Sequence, residues 1–278
     1  MLKNLVSLYH TVRYFSDIPA MSHIKHLVST SGNRLAYQHL RGLNPGLIFL
    51  PGYCSVMDGI KGNALYEYSF RTGRQYTRFD YSSMGQSEGD FNKCNLTIWL
   101  QDFLTILDLV TDGKQLLVGS SMGGHLMLLA TQARKDRIHG LLGLATAVDF
   151  LPRIFNRISS TERNQLESQG VMYRDTPYSD DPMPFTQLLF DDSMKGRNRV
   201  MLTDSLPIHC PVRLIHGKKD NDIPWRWTDQ LATKLTQSVD VKVCYIEDGE
   251  HVLSRDDDLR VMFANIEELL RIGKVGYM

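Results

Sequence analysis

No apolar run in this chain of 278 residues approaches the length of about 20 residues that a helix needs to cross a bilayer, so the sequence offers no integral membrane segment. Charge of one sign is not in excess either. Lys+Arg and Asp+Glu both number 31, and without a basic surplus nothing points to nucleic acid as a partner. Cysteine is sparse: Cys54, Cys94, Cys210 and Cys244 are scattered, with no C-x-x-C pair. That argues against a disulfide framework and for free thiols in a reducing compartment. No internal repeat is visible, and no Cys/His/Asp/Glu cluster has metal-ligand spacing. What remains is the composition of a soluble globular protein with a large core, 42% hydrophobic and 22% charged.

Acidic residues are missing from one further place, the start of the chain, where none occurs before Asp17. Leu2, Leu5, Val6, Tyr9 and Val12 can form an apolar stripe on a helix, edged by the basic groups Lys3, His10 and Arg13. Ser7, Thr11 and Ser16 add hydroxyls. An acid-poor amphipathic leader of this kind fits a mitochondrial transit peptide over residues 1–20, removed between Tyr14 and Ala20. An ordinary N-terminal helix or tail is the alternative.

Strands and helices then alternate. A hairpin spans Ile24 to Leu40 with its turn at Ser31-Gly32-Asn33, and apolar strands follow at Gly46–Leu50 and Tyr76–Tyr81, with a helix between them at Lys61–Arg71. Leu96, Leu100, Phe103, Leu104 and Leu107 have the spacing of a helix with one buried face over 96–110. Strands are expected at 116–118, 140–148, 212–216 and 241–246, with helices at 126–130, 225–237 and 257–271. This order predicts a mostly parallel central sheet with helices on both faces. Between Asp149 and Leu206 the alternation breaks: Arg153–Gln169 is polar and helix-compatible, and Asp175–Pro184 is rich in Pro, Asp and Ser and reads as an ordered loop. The 149–206 stretch is expected to be a small helical cap inserted over the strand ends of one domain, 21–278.

The chemistry centres on Val118-Gly119-Ser120-Ser121-Met122-Gly123-Gly124. A G-x-S-x-G alone arises by chance in about one chain of this size in ten. Here a buried strand precedes it and a helix follows, the setting in which the serine is exposed at a tight corner. In an open α/β sheet ligands sit beyond the carboxyl ends of the strands. Asp220, in Gly217-Lys218-Lys219-Asp220, and His251, in Gly249-Glu250-His251, occupy two more of those ends. Serine needs an imidazole to take its proton, and the imidazole needs a carboxylate to hold its tautomer. Ser121, His251 and Asp220 are therefore the expected nucleophile, base and orienting acid. Asp222 competes with Asp220 but stands beside Ile223-Pro224, where a cap for the next helix is expected. His216 reads as a packed strand residue, and His125 as facing away from the serine. The oxyanion donors are expected to be the backbone N–H groups of Met122, at the helix start, and Tyr53, after Gly52.

These motifs resemble the α/β-hydrolase superfamily from about Ile24 onward: Pro51-Gly52-Tyr53, Phe79-Asp80-Tyr81-Ser82, Gly119 to Gly124, and His216-Gly217-Lys218-Lys219-Asp220 with Ile223-Pro224. Within it they look like the mitochondrial palmitoyl-protein thioesterases also known as mycophenolic acid acyl-glucuronide esterases. The resemblance implies hydrolysis of an S-acylated protein or a small acyl ester with no cofactor and no metal, a mitochondrial location, and the triad Ser121, Asp220 and His251. One departure is Ser83, which stands where the family's loop after Asp80 usually has glycine. In the cap, Ile154, Phe155, Phe185, Leu188, Leu189 and Phe190 could line an acyl channel or form the cap's own core, and Arg153, Arg157 and Lys195 could meet a glucuronide.

Overall fold

The computed structural model describes residues 23–202 and 205–272; the expected transit peptide lies outside them. Ten strands are described: Lys25–Val28 (β1), Arg34–Leu40 (β2), Leu43–Leu50 (β3), Arg74–Phe79 (β4), Gln115–Ser120 (β5), Ile138–Leu144 (β6), Val171–Thr176 (β7), Ser179–Thr186 (β8), Val212–Gly217 (β9) and Val241–Ile246 (β10). Eight form one sheet in the order β1-β2-β4-β3-β5-β6-β9-β10, and β7 and β8 form a separate hairpin. Pairing is parallel from β4 through to β10 and antiparallel at β1/β2 and β2/β4. This is the α/β-hydrolase fold.

Helices cover both faces: Ile60–Thr72 (α1), Leu96–Val110 (α2), Met122–Ala133 (α3), Arg226–Ala232 and Asp256–Ile272 belong to the sheet layers. The strands show why. Leu47 and Phe49 of β3 enter a cluster with Leu65 of α1 and with Leu259, Met262, Phe263, Ile266 and Leu269 of the last helix. Ile48 and Leu50 point the other way, into a cluster with Trp99 and Phe103 of α2 and Leu126 and Met127 of α3. Successive strand residues face opposite sides. A strand covered on both sides must therefore be apolar throughout, and each such side chain stabilises the fold by about 1.5–3 kcal/mol. Asn95 starts α2 by accepting from the Ile98 N–H at 2.9 Å, and Gly73 ends α1 in the left-handed conformation at φ 66°.

Between β6 and β9 none of the described residues joins the central sheet. That stretch holds Phe150–Phe155 (α4), Ser160–Gln169 (α5), the β7–β8 hairpin and Gln187–Ser193 (α6), which leaves Arg226–Ala232 as α7 and Asp256–Ile272 as α8. The hairpin corrects the expected loop over 175–184. Pro182 and Pro184 did not prevent a strand because they lie two apart, on one side of a two-stranded ribbon whose outer edge needs no N–H donors. Two other boundaries shift. β6 stops at Leu144, since Ala145 turns at φ 46° while 145–148 stay buried. α7 stops at Ala232, where the Thr233 hydroxyl donates to the Gln230 carbonyl at 2.7 Å and competes with the helix.

Candidate active site

Ser121 stands between β5 and α3 at φ 53° and ψ −117°, a conformation a non-glycine residue adopts only when its surroundings enforce it. The flanking glycines allow the corner. A Cβ on Gly123 would come within 2.1 Å of the Leu50 carbonyl oxygen, and one on Gly119 within 2.7 Å of the Gly123 oxygen. The neighbouring strand then pins the turn: Ser121 N–H donates to Leu144 O at 2.9 Å, and Ser121 O accepts from Ala147 N–H at 3.1 Å.

His251, after β10, places Nε2 3.1 Å from Ser121 Oγ. Its Nδ1 lies 2.8 Å from Asp220 Oδ2. Asp220 follows β9, and its other oxygen accepts from the backbone N–H groups of Asp222 (2.9 Å) and Ile223 (2.8 Å). Burial by itself would raise this carboxyl. Hydrogen bonds from His216, His251 and the Ile223 N–H outweigh burial and hold it well below the usual carboxylate range. Asp220 thus stays ionised beside the imidazole. The residues expected to act together lie in one hydrogen-bonded line, Ser121–His251–Asp220.

Gly52 and Tyr53 follow β3, and a Cβ on Gly52 would lie 3.4 Å from Ser121 Cβ, so this turn abuts the same corner. Ser55 N–H donates to Gly52 O at 3.2 Å, closing a turn, and among the described turn and loop hydrogen bonds none uses the Tyr53 N–H. Met122 is the first residue of α3, where helix geometry leaves the N–H without an intrahelical partner. Tyr53 also has a side-chain role that its sequence position did not signal. Its ring stacks on Phe185 at 5.2 Å, and its hydroxyl donates to Pro184 O, both in β8. Burial, with Cys54 nearby, pushes the phenol far above its ordinary value, so it remains a donor.

Six non-glycine residues with positive φ are described, all in segments that follow strands of the central sheet: Cys54, Ser83, Ser121, Ala145, Asp149 and Leu253. They follow β3, β4, β5 and β6 and the His251 turn, so backbone strain collects where the strand ends converge. Ser83, at φ 66°, occupies the left-handed position that glycine would take without penalty.

The remaining sequence candidates divide. Asp222 does not cap α7, whose N-terminal residue Trp225 makes no side-chain cap, and its carboxylate instead accepts from the Tyr178 hydroxyl. His125 is buried and directed at Asp149, whose N–H lies 3.3 Å from Nδ1; burial lowers its pKa, against the pull of Asp149. Phe185, Leu189 and Phe190 are buried in the main core, with Ile154 and Phe155 packed against it, while Leu188 is exposed. The Arg153 guanidinium lies 3.5 Å over the Trp227 ring, and Lys195 pairs with Asp192 at 3.1 Å. Asp220, Asp222 and His251 bring ligand-type atoms within 4.8 Å of one another. The Asp220 oxygens and His251 Nδ1 already bond to each other and to the chain, a relay rather than an open cation site. No helix among the described residues is long and apolar enough to cross a membrane.

No family model matches the chain. The mitochondrial palmitoyl-protein thioesterase ABHD10 of Bos taurus is 36% identical over 236 residues, spanning 85% of this chain and 76% of that protein. The solved structure of mouse α/β-hydrolase domain-containing protein 10 superposes with a TM-score of 0.81 at 33% identity, covering 90% of this chain and 99% of that one. An assigned hydrolase of Agrobacterium vitis superposes with a TM-score of 0.84 at 30% identity, covering 89% and 98%. This chain belongs to the ABHD10 family of α/β hydrolases.

Proposed function

We propose that the chain is a serine hydrolase that cleaves acyl thioesters and esters through an acyl-enzyme, removing palmitoyl groups from protein cysteines and opening acyl glucuronides. The observation that carries this reading is the 3.1 Å approach of His251 Nε2 to Ser121 Oγ, with Asp220 Oδ2 2.8 Å from Nδ1. His251 takes the Ser121 proton as Oγ bonds to the acyl carbon, and the carbonyl electron pair moves onto oxygen. The N–H groups of Tyr53 and Met122 hold that oxyanion; such donors contribute about 3–4 kcal/mol each. As the intermediate collapses, the C–S or C–O bond breaks and His251 returns the proton to the leaving group. Water, deprotonated by His251, then attacks the acyl-enzyme, and the carboxylic acid leaves as Ser121 regains its proton. A thioester and an acyl glucuronide present the same electrophilic carbonyl, so one constellation serves both. Relatives named as mitochondrial and the acid-poor stretch before Asp17 support a mitochondrial location with residues 1–20 as the transit peptide.

The test is kcat/KM for acyl thioesters from about four to sixteen carbons, with Ser121→Ala as blank; the mutant should lose at least about a thousandfold. Rates that climb toward long chains support the depalmitoylase. Rates confined to short chains indicate a small-ester or glucuronide esterase. Equal rates in wild type and mutant, or none in either, sink the serine mechanism and favour a non-catalytic scaffold that binds a lipid or partner.

A further inference from the structure

His216 lies in β9, fully buried and bonded on both ring nitrogens. Its Nε2 is 2.9 Å from Asp220 Oδ2 and 3.0 Å from the Ile223 carbonyl oxygen. A carbonyl oxygen can only accept, so Nε2 carries a hydrogen in either charge state of the ring and donates to both oxygens. The far nitrogen, Nδ1, is 2.7 Å from the Thr228 hydroxyl, which can accept from it or donate to it. The ring therefore cannot turn without losing a buried hydrogen bond on each side.

The partner of His216 is the oxygen that faces His251. An ionised carboxylate offers about four acceptor positions. In Asp220 all are filled: Oδ1 by the N–H groups of Asp222 and Ile223, Oδ2 by His251 Nδ1 and His216 Nε2. Three of these donors set the carboxylate's plane from the β9 side, and the fourth is the imidazole it serves. We propose that His216 is a positioning residue for Asp220, fixing the carboxylate and sharing its charge so that His251 keeps its orientation toward Ser121. The proposal rests on the serine-hydrolase reading above. Without the His216 N–H, Oδ2 concentrates more charge on His251 and the carboxylate is freer to rock. The imidazolium is then held more tightly, and proton return to the leaving group suffers. The other ionisable groups facing this point include Asp222, with its carboxylate on Tyr178, the Tyr178 ring beside His251, and Glu250, whose charge acts on Tyr178.

His216→Leu and His216→Gln separate positioning from packing, because the glutamine amide extends to where Nε2 stood and can donate to Asp220, whereas leucine cannot. In His216→Leu, kcat should fall about ten- to a hundredfold with KM nearly unchanged. The acid limb of kcat/KM should move up by roughly half a pH unit. In His216→Gln most of both effects should be recovered. A leucine variant with wild-type kcat and profile overturns the proposal. So does equal slowing of both variants with the limb unmoved, the mark of a packing role. Should His216→Leu not fold, Thr228→Val carries the same test by freeing the ring's far side, and an unmoved limb there counts against the proposal. The downfield proton resonance of His251 Nδ1–H should shift in His216→Leu and return in His216→Gln, whatever the chain hydrolyses. Ser121→Ala with full activity would overturn the serine reading instead, and that resonance would still report on His216.

Discussion

The hydroxyl of Tyr178, at the tip of the β7–β8 hairpin, donates to the carboxylate of Asp222, two residues beyond Asp220. Its ring lies 6.2 Å from the His251 imidazole. At the hairpin's other end Tyr53 bonds to Pro184, so the inserted ribbon is tied to two of the turns that form the site. Tyr178 and Asp222 are both exposed, which limits what their bond contributes.

Tyr178→Phe keeps the ring and removes this link. An exposed hydrogen bond contributes about 0.5–1 kcal/mol, so kcat/KM for a thioester with a peptide leaving group should rise about two- to fivefold. Tethered beside His251, the tip should restrict a bulky peptide leaving group but not a small thiol, which should gain nothing. Parallel rate measurements on the two substrates decide it, and an equal change for both would sink the idea that the tip restricts the leaving group.

Gly123→Ala should be among the most damaging single changes in the chain. Its Cβ would meet the backbone oxygens of Leu50 at 2.1 Å and Pro51 at 2.6 Å, and neither can rotate away. Gly124→Ala is the control, because its nearest neighbours are atoms of the Thr146 side chain, at 2.8 Å and beyond. Overpacking of this kind costs about 1–3 kcal/mol. Since Pro51 leads into Gly52 and Tyr53, kcat should fall by about a hundredfold or more in Gly123→Ala, beyond any loss in stability. Thermal melts with kcat for both variants check this, and similar behaviour of the two would contradict the close-packed corner.

Much of this was legible in the sequence, for identifiable reasons. Buried parallel strands must be apolar on both faces, so β3 and β5 stood out as short unbroken runs, while β9 and β10 showed through their Val, Leu and Ile content despite Arg213 and Lys242. The apolar spacing from Leu96 marked α2, and the structure adds the Asn95 cap that starts it. The positions of Ser121, Asp220 and His251 at the ends of β5, β9 and β10 follow once those strands are found. The β7–β8 hairpin was hidden because its prolines and acids carry loop statistics, and only an outward-facing edge makes them tolerable. Asp222 was misread since capping propensity is local, whereas its partner, Tyr178, lies 44 residues away in sequence. His216 was rightly expected to be packed, but its bond to Asp220 joins two groups four residues apart across a strand end, a contact that no periodicity reports.

Asp220→Asn should lose far more than its size suggests. All four hydrogen bonds to Asp220 come from N–H groups, so an amide NH2 in either orientation would face two donors. The expected loss in kcat is about 10⁴-fold, as for a triad whose imidazole takes the wrong tautomer. Stability follows the same carboxylate. Its folded pKa is depressed, so its contribution is full above the ordinary carboxylate range and is lost only as pH falls through the lower folded value. Denaturant unfolding of wild type and variant should thus show a constant gap from about pH 7 to 5 that narrows only in stronger acid. A gap that closes between pH 7 and 5 would mean that the carboxylate is not held as described.

Lys61 of α1 connects titration to the His251 turn. Its buried Nζ donates to Val252 O and, at 3.2 Å, to Ser254 Oγ, on either side of Leu253 at φ 47°. Burial lowers the ammonium to about 8, with Asp258 opposing. Between that value and the ordinary lysine value of about 10.4, the unfolded chain keeps a proton that the folded chain has released. Stability must therefore rise with pH across that window. Lys61→Met retains the stem but not the titration. The stability of wild type relative to this variant should increase by about 2 kcal/mol between pH 7 and 9.5. With the turn untethered, kcat should drop about three- to tenfold while KM holds, since His251 moves and the α4–α6 segment does not. Urea unfolding at the two pH values, alongside kcat, tests both halves. A pH-independent difference would show that the ammonium is solvated, and an unchanged kcat would show that the turn holds His251 without Lys61.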